Sequence, residues 1–274
     1  MLDAMLLGIL QGLTEFLPIS SSGHLVLGEH FLGMAPHGSQ GLLLEVVLHL
    51  GTLLAVVVAY RQDLLRLAAS LWPGTARRME EDQRRRHHRL LLAMVVATLP
   101  AALVGLTMKG PIEQVFGNPR LVALLLMGTA AILFVGDRLR QGNRLAEQLG
   151  LPRALGVGAV QALAILPGIS RSGSTIVAGL LCGLRPVEAA RFSFLISVPA
   201  VSGAALLEAR DLWTGEAVLS TSPAALGAGF ICSAVVGYLA LQWLLIAVRR
   251  RSLTYFACYC FVVGLAALLL GSFA

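Results

Sequence analysis

Long apolar runs dominate this chain, and the polar residues that interrupt them fall in a pattern that repeats. Six runs are long enough to cross a bilayer as helices, at about 42–60, 90–108, 121–136, 192–208, 224–248 and 254–273. Two more apolar stretches, 2–33 and 154–184, are broken in the middle by polar motifs, which leaves each half too short to span. The first motif reads Gln11-Gly-Leu-Thr-Glu15-Phe-Leu-Pro18-Ile-Ser20-Ser21-Ser22-Gly23-His24. The second reads Gln161-Ala-Leu-Ala-Ile-Leu-Pro167-Gly168-Ile169-Ser170-Arg171-Ser172-Gly173-Ser174, with Thr175 next. Gln11 aligns with Gln161, Leu13 with Leu163, Ile19 with Ile169, and Ser-x-Ser-Gly with Ser-x-Ser-Gly, all 150 residues apart. Paired half-helices that enter and leave on one side satisfy the bilayer's length limit, provided protein covers the irregular backbone at their tips.

Charge then assigns sides. Region 61–89 holds eight arginines and region 137–153 four; Arg185, Arg191 and the run Arg249, Arg250, Arg251 bring the total to 17 of the 21 basic residues. The positive-inside rule places these regions in the cytoplasm. Segment 42–60 then runs inward, 90–108 outward and 121–136 inward; 192–208 runs outward, 224–248 inward and 254–273 outward. Stretch 2–33 is re-entrant from outside, with 34–41 external, and 154–184 is re-entrant from the cytoplasm. Each half is one hairpin plus three spans. Three is odd, so the second half is upside down relative to the first, and the two polar hairpins can meet near the membrane middle. The expected fold is therefore all-α: a polytopic membrane protein with six transmembrane helices and two re-entrant helical hairpins in an inverted-topology repeat. It is a single integral membrane domain over 1–274, with repeats at approximately 1–136 and 154–274.

Composition agrees. The chain is 57% hydrophobic and only 13% charged, against about 25% charged in soluble domains. The net charge of +6 reads as topology and gives no reason to expect a nucleic-acid partner. The N-terminus lacks a basic n-region, so no cleavable signal is expected. The mixed charge run at 77–89 reads as a solvated cytoplasmic loop, and Glu188 as a loop charge. Cys182, Cys232, Cys258 and Cys260 lack metal-type spacing and read as small buried residues. The small residues Gly227, Gly229, Ala234 and Gly237 serve either a homodimer contact or internal packing. No nucleotide loop, HExxH or dinucleotide fingerprint is present.

The polar motifs carry the chemistry. Gln11 and Glu15 are spaced i, i+4 and share a helix face. Pro18 ends that helix, and the serines cap the next. Ser21 and His24, three apart, can face one pocket. In the second hairpin Pro167 and Gly168 make the break, and Ser170, Arg171, Ser172, Gly173 and Thr175 open the following half-helix. A carboxylate, hydroxyls, an imidazole, a guanidinium fork and two helix N-termini together make an oxyanion-handling site. Glu15 is a candidate base or divalent-cation ligand. Ser21, His24 and water are all candidate nucleophiles. Gln11, Ser20, Ser22, Gly23, Gln161, Ser170, Ser172, Gly173 and Thr175 are candidate substrate-binding residues, joined by Glu45 near the outer end of the 42–60 span. The plainer reading makes Glu15–Arg171 a structural ion pair. Against it, each intramembrane charge costs roughly 2.5–3.5 kcal/mol on insertion scales.

These two motifs, in this order and over a chain of this length and hydrophobic layout, resemble the bacitracin-resistance type of undecaprenyl-diphosphate phosphatase. That family's first motif is Glu/Gln-x-x-x-Glu, fitted by Gln11 and Glu15; its second is of a Pro-Gly-x-Ser-Arg-Ser-Gly-x-Thr type, fitted by 167–175. The resemblance implies an integral enzyme of the bacterial plasma (inner) membrane, with a site open to the outer, periplasmic face. It implies removal of the terminal phosphate from the C55 isoprenoid diphosphate, which recycles the lipid carrier of cell-wall synthesis. It places the essential carboxylate, serine, histidine and arginine on Glu15, Ser21, His24 and Arg171. It also implies a divalent cation, Mg2+ or Ca2+, with Glu15 as its ligand. Gln11 stands where many members have Glu, which removes one carboxylate from any such site. Inverted repeats with broken helices also build transporters, so a lipid-phosphate or anion translocase using the same pocket is the competing expectation.

Overall fold

The computed structural model describes residues 1–32, 42–77, 79–138, 142–213, 222–250 and 253–271. They form helices α1 (Leu2–Phe16), α2 (Ser21–Leu32), α3 (Leu42–Ala59), α4 (Arg61–Leu71), α5 (Pro73–Ala76), α6 (Glu81–Thr107), α7 (Lys109–Phe116), α8 (Pro119–Arg138), α9 (Leu151–Leu163), α10 (Arg171–Leu181), α11 (Pro186–Trp213), α12 (Pro223–Arg249) and α13 (Leu253–Leu270). No strand occurs among the described residues; one isolated bridge pairs Arg144 with Leu184.

Five helices, α6, α8, α11, α12 and α13, are long and apolar enough to cross a membrane, and α3 supplies a sixth when counted with α4, from which it is bent by 78°. Large apolar side chains cover the outside: Leu206 is 72% exposed, Leu269 75% and Tyr255 78%. A surface of that kind is stable only against lipid. The chain is thus an all-α multi-pass membrane protein. The two interrupted stretches form helical hairpins, α1–α2 and α9–α10, whose arms are short. The spans α3, α6 and α8 lie between them in sequence. The proposed external loop at 34–41 lies outside the described residues.

The region after α3, placed on the cytoplasmic side by its arginines, continues as helix. Tyr60 breaks the backbone helix, and α4 turns away with Arg61, Gln62, Leu65 and Arg66 exposed. The charge run is also not a loop throughout. Residues 81–89 form the first turns of α6, held by i, i+4 pairs between Arg85 and Glu81 and between Arg86 and Asp82 (3.0 Å). Acidic residues in the first turn suit the helix dipole there, and basic residues one turn later complete the pairs.

Packing is crosswise between the halves. α1 lies along α12 of the second half, and α9 lies along α6 of the first. Glycines permit this approach. A Cβ on Gly8 would stand 2.5 Å from the Gly229 carbonyl oxygen, one on Gly12 2.7 Å from the Gly237 nitrogen, and one on Gly158 2.6 Å from the Ala97 carbonyl oxygen. Gly229 and Gly237 are therefore used internally, against α1, and not for a dimer contact. Ser233 on the same helix donates to the Leu48 carbonyl at 2.7 Å, joining α12 to α3. Phe16, Tyr60 and Phe194 bring α1, α3 and α11 together, with the Phe16 and Phe194 rings edge to face at 5.7 Å. Of the four cysteines, all free thiols, only Cys260 is fully buried; Cys182 and Cys232 are half-buried and Cys258 is exposed. The expectation of four buried cysteines fails: Cys258 lies on an outward face of α13, and Cys182, just past the end of α10, touches the core with only part of its surface.

At one end of the bundle Arg191 gathers three carboxylates: Asp63 of α4 at 2.6 Å, Glu147 of the 3-10 turn Ala146–Gln148 at 2.7 Å and Glu188 of α11 at 3.1 Å. Glu188 also accepts the Ala146 amide at 3.1 Å. Glu188 is thus part of a buried junction and not a loop charge.

Candidate active site

The first hairpin turns because of Pro18. The residue before a proline is pushed into extended backbone, and Leu17 has φ −63° and ψ 142°. Ser20 then adopts a left-handed φ of +68°, and α2 starts at the next residue. The Ser20 hydroxyl oxygen caps α2 by accepting the Gly23 amide at 3.3 Å. In the second hairpin the left-handed residue is Gly168, at φ +94°. Ser170 caps α10 by accepting the Gly173 amide at 3.1 Å.

The two tips bind each other reciprocally. Ser20 Oγ accepts the Gly168 amide at 3.1 Å, and Ser172 Oγ donates to the Leu17 carbonyl at 3.3 Å. A Cβ on Gly23 would meet Gly168 Cα at 2.8 Å; the equivalent contact, Gly173 on Pro18 Cβ, would be 3.0 Å. Neither bond is mirrored by its repeat equivalent among the described residues. The equivalent of Ser20 accepting the Gly168 amide is Ser170 accepting an amide from residue 18, and proline has none. Ser170 Oγ instead pairs with Ser172 Oγ at 3.2 Å. Thr129 of α8 braces the second tip, donating to the Gly168 carbonyl at 2.7 Å and accepting the Ser170 amide at 2.9 Å.

Glu15 stands at the centre of this junction. Its Oε1 bonds Arg171 Nη2 at 2.5 Å across the two hairpins. Its Oε2 accepts from Ser21 Oγ at 3.1 Å and from Gln11 Nε2 at 3.2 Å. The pair is nearly enclosed, with Glu15 10% and Arg171 17% exposed at the side chain. The second guanidinium nitrogen of Arg171, Nη1, is buried without a hydrogen-bond partner among the described residues. One arm of the fork thus holds Glu15, and the other keeps its donors for an incoming acceptor.

His24, one turn into α2, sits beside this cluster. Its Nδ1 lies 2.9 Å from the Ser20 carbonyl oxygen and its Nε2 lies 3.0 Å from the Tyr259 hydroxyl of α13. The remaining sequence candidates divide by position. Ser20, Gly23, Ser170, Ser172 and Gly173 build the tips. Thr175 faces α11, 2.6 Å from Ser193 Oγ. Ser22 is half-buried in the first turn of α2. Gln161 is turned to α6, where it donates to the Ala97 carbonyl at 3.2 Å. Glu45 lies on α3, and its side chain lies outside the described residues. Tyr259 and Thr129 were not singled out from the sequence. Each sits in an apolar span, Tyr259 with Thr254 and Tyr255 as its polar company on α13, and no motif or spacing marks it.

The donor set around Glu15 does not make a cation cage. Both carboxylate oxygens are already acceptors, a guanidinium touches one of them, and Gln11 presents its amide nitrogen. Hard divalent cations take six or more oxygens, and the described residues contain no group of three His, Cys, Asp or Glu that could hold one. Next to the site runs a groove of about 500 Å3 whose walls include Leu17, Ile19, Trp243, Ile246, Phe256 and Tyr259.

Comparison with known proteins gives a consistent result. Residues 4–266 match the family described as bacitracin resistance protein BacA. The chain is 44% identical over 272 residues to an undecaprenyl-diphosphatase of Rubrobacter xylanophilus, covering 98% of both chains. It is 39% identical over 276 residues to an undecaprenyl-diphosphatase of Methanosphaera stadtmanae, covering 98% of this chain and 97% of that one. It is 40% identical over 269 residues to the protein of the same name from Christiangramia forsetii, covering 97% of both.

Proposed function

Because this chain belongs to the bacitracin resistance protein BacA family, we propose that it dephosphorylates undecaprenyl diphosphate to undecaprenyl phosphate by attack of Ser21 on the terminal phosphorus. It is a membrane-embedded hydrolase of a prenyl diphosphate. The observation that carries the mechanism is the bond from Ser21 Oγ to Glu15 Oε2, on a carboxylate whose other oxygen faces Arg171.

The diphosphate's negative charge is drawn to Arg171, whose Nη1 donors and fork geometry fit a phosphate bidentately. As the guanidinium turns to the phosphate it loosens its hold on Glu15, and the carboxylate becomes a better acceptor for the Ser21 proton. The serine oxygen then attacks the terminal phosphorus. The bridging P–O bond breaks, and prenyl monophosphate leaves with the electron pair and with the proton that Glu15 took from Ser21, which returns Glu15 to its ionised form. Water, losing its proton to Glu15, opens the phosphoserine; inorganic phosphate leaves and Ser21 is reprotonated. Positioning and charge neutralisation carry most of such a reaction. A divalent cation is compatible with this scheme as a companion of the diphosphate oxygens, since the protein residues alone do not make a site for it; no step above is routed through it.

The apolar groove beside the hairpin tip offers the isoprenoid chain a surface next to the reacting head group. Arginine distribution supports an orientation with regions 61–89, 137–153 and 249–251 on the cytoplasmic side, and the family resemblance implies a site open to the outer face. A translocase needs only to hold the phosphate, and nothing in that task calls for a serine hydroxyl bonded to a carboxylate.

The test is phosphate release from undecaprenyl diphosphate by purified protein in detergent. Release is expected, with loss in Arg171→Ala and Ser21→Ala, and acid quenching is expected to trap phosphate on Ser21. Tight binding without release would overturn the phosphatase reading and favour the translocase. A folded Ser21→Ala that keeps full turnover would remove Ser21 as nucleophile and leave water or His24.

A further inference from the structure

We infer that Tyr259 is a positioning residue for this reaction: its hydroxyl fixes the proton location and the orientation of the His24 imidazole. The inference rests on the functional reading above for its consequence in turnover, but its geometric premise stands alone.

His24 has a partner on each ring nitrogen. Nδ1 lies 2.9 Å from the Ser20 carbonyl oxygen, and that oxygen also accepts the His24 backbone amide at 3.2 Å. A carbonyl oxygen only accepts, so at this distance Nδ1 carries a hydrogen; the other tautomer would set two lone pairs against each other. In the neutral ring Nε2 is then bare. Its neighbour at 3.0 Å is the Tyr259 hydroxyl, which donates to it. The two ring planes are within 5° of parallel, with centroids 5.5 Å apart, so the contact constrains tilt as well as distance.

The pairing has two chemical consequences. First, the basic lone pair of His24 is directed at Tyr259, while the Ser21 hydroxyl is bonded to Glu15. Glu15 is therefore the proton acceptor for Ser21, and His24 is a second, separately held group beside it. Second, the contact survives protonation. An imidazolium donates from both nitrogens, and a phenol oxygen has lone pairs to accept the new N–H. Tyr259 thus keeps the ring in place in either charge state, next to a substrate whose charge changes during the reaction. This partner comes from α13, 235 residues away from His24, and outside both polar motifs. The last span therefore contributes to the orientation of a group on the first hairpin.

Tyr259→Phe keeps the ring and removes only the hydroxyl. The expected result is a fall in kcat of about tenfold, the upper size of one ordinary hydrogen bond, with KM within about a factor of two and an unchanged thermal midpoint. In a His24→Gln background the same substitution is expected to cost less than about twofold, since the group it orients is gone. Equal loss in both backgrounds, or no loss in either, overturns the proposal. A readout independent of turnover is 15N NMR of histidine-labelled protein, with the His24 signals identified by their disappearance in His24→Gln. A protonated Nδ1 and a bare Nε2 that shifts in Tyr259→Phe are expected. A protonated Nε2 in the neutral ring, or a spectrum indifferent to Tyr259→Phe, overturns it. If the parent protein releases no phosphate, the functional reading fails, and the NMR experiment still decides the His24–Tyr259 pairing.

Discussion

Replacing Gly23 by alanine tests the reciprocal tip contact directly. The new Cβ would stand 2.8 Å from Gly168 Cα, 3.0 Å from Gly168 N and 3.1 Å from Ser20 Oγ. Two of these atoms are backbone and cannot turn away. Ordinary carbon contacts lie at about 3.5–4.0 Å, so the tips must separate by roughly 0.7–1 Å. The Glu15–Arg171 bond, 2.5 Å long, crosses that same gap, as does the Ser20–Gly168 bond. A misplacement of about 1 Å at reacting groups costs on the order of 100-fold in rate. Gly23→Ala is expected to lose about that much phosphate release per folded molecule in detergent. Two glycines calibrate the effect. Gly173→Ala meets Pro18 Cβ at 3.0 Å and Leu133 Cδ2 at 3.1 Å; the leucine end can move and the ring carbon cannot, but the overlap is less than at Gly168 Cα, so its loss should be smaller. Gly28→Ala, on the same helix as Gly23, has nothing within 4 Å; it should keep full activity and gain up to about 1 kcal/mol from helix propensity. If Gly23→Ala releases phosphate as fast as Gly28→Ala, the tips do not hold the site in register, and the argument from their contact is wrong.

Three further substitutions probe other parts of the structure. Glu15→Gln keeps the shape and removes the proton acceptor; phosphate release should fall by about 100-fold or more, and loss of less than tenfold would exclude Glu15 as the base. Thr129→Val removes the hydroxyl that serves the Gly168 carbonyl and the Ser170 amide; at about 1–3 kcal/mol for each unpaired buried group, the thermal midpoint should drop clearly, whereas an unchanged midpoint would mean those groups find other partners. Arg191→Ala leaves Asp63, Glu147 and Glu188 facing one another without their cation; a loss of about 3 kcal/mol in unfolding stability is expected, with phosphate release per folded molecule largely kept, and a selective loss of turnover would instead tie this cluster to catalysis.

What the sequence made legible was whatever local spacing encodes. Gln11 and Glu15 share a face because they are four apart, Pro18 and Gly168 mark the breaks because of their backbones, and the repeat itself brought Arg171 into view as the partner of the first motif. The hidden parts depend on single residues meeting across the fold. Tyr259 is one tyrosine in an apolar span, and only the approach of α13 to α2 gives it His24. Thr129 looks like any membrane-helix threonine until the second tip lands on it. Arg191 and Glu188 look like boundary charges by sequence position; they are buried together because α4 bends back to bring Asp63, and a bend of that kind follows from tertiary packing more than from composition. Gln161 mirrors Gln11 in sequence, yet it bonds the Ala97 carbonyl of α6, across in the first half, in place of a carboxylate, because the second motif has Ile165 where the first has Glu15.

The crosswise bonding of the tips has a consequence in time. Glu15 is synthesised 156 residues before Arg171, and at roughly 5–20 residues per second a ribosome takes on the order of ten to thirty seconds to cover that distance. Throughout that interval the nascent first hairpin carries an acid without its counter-ion, and Ser20 lacks the amide it will accept from Gly168. A growing chain in this state is best kept at the membrane–water boundary, where the acid can stay hydrated. The catalytic centre is completed only as the second hairpin arrives, so insertion of the early segment and construction of the working enzyme are separate events.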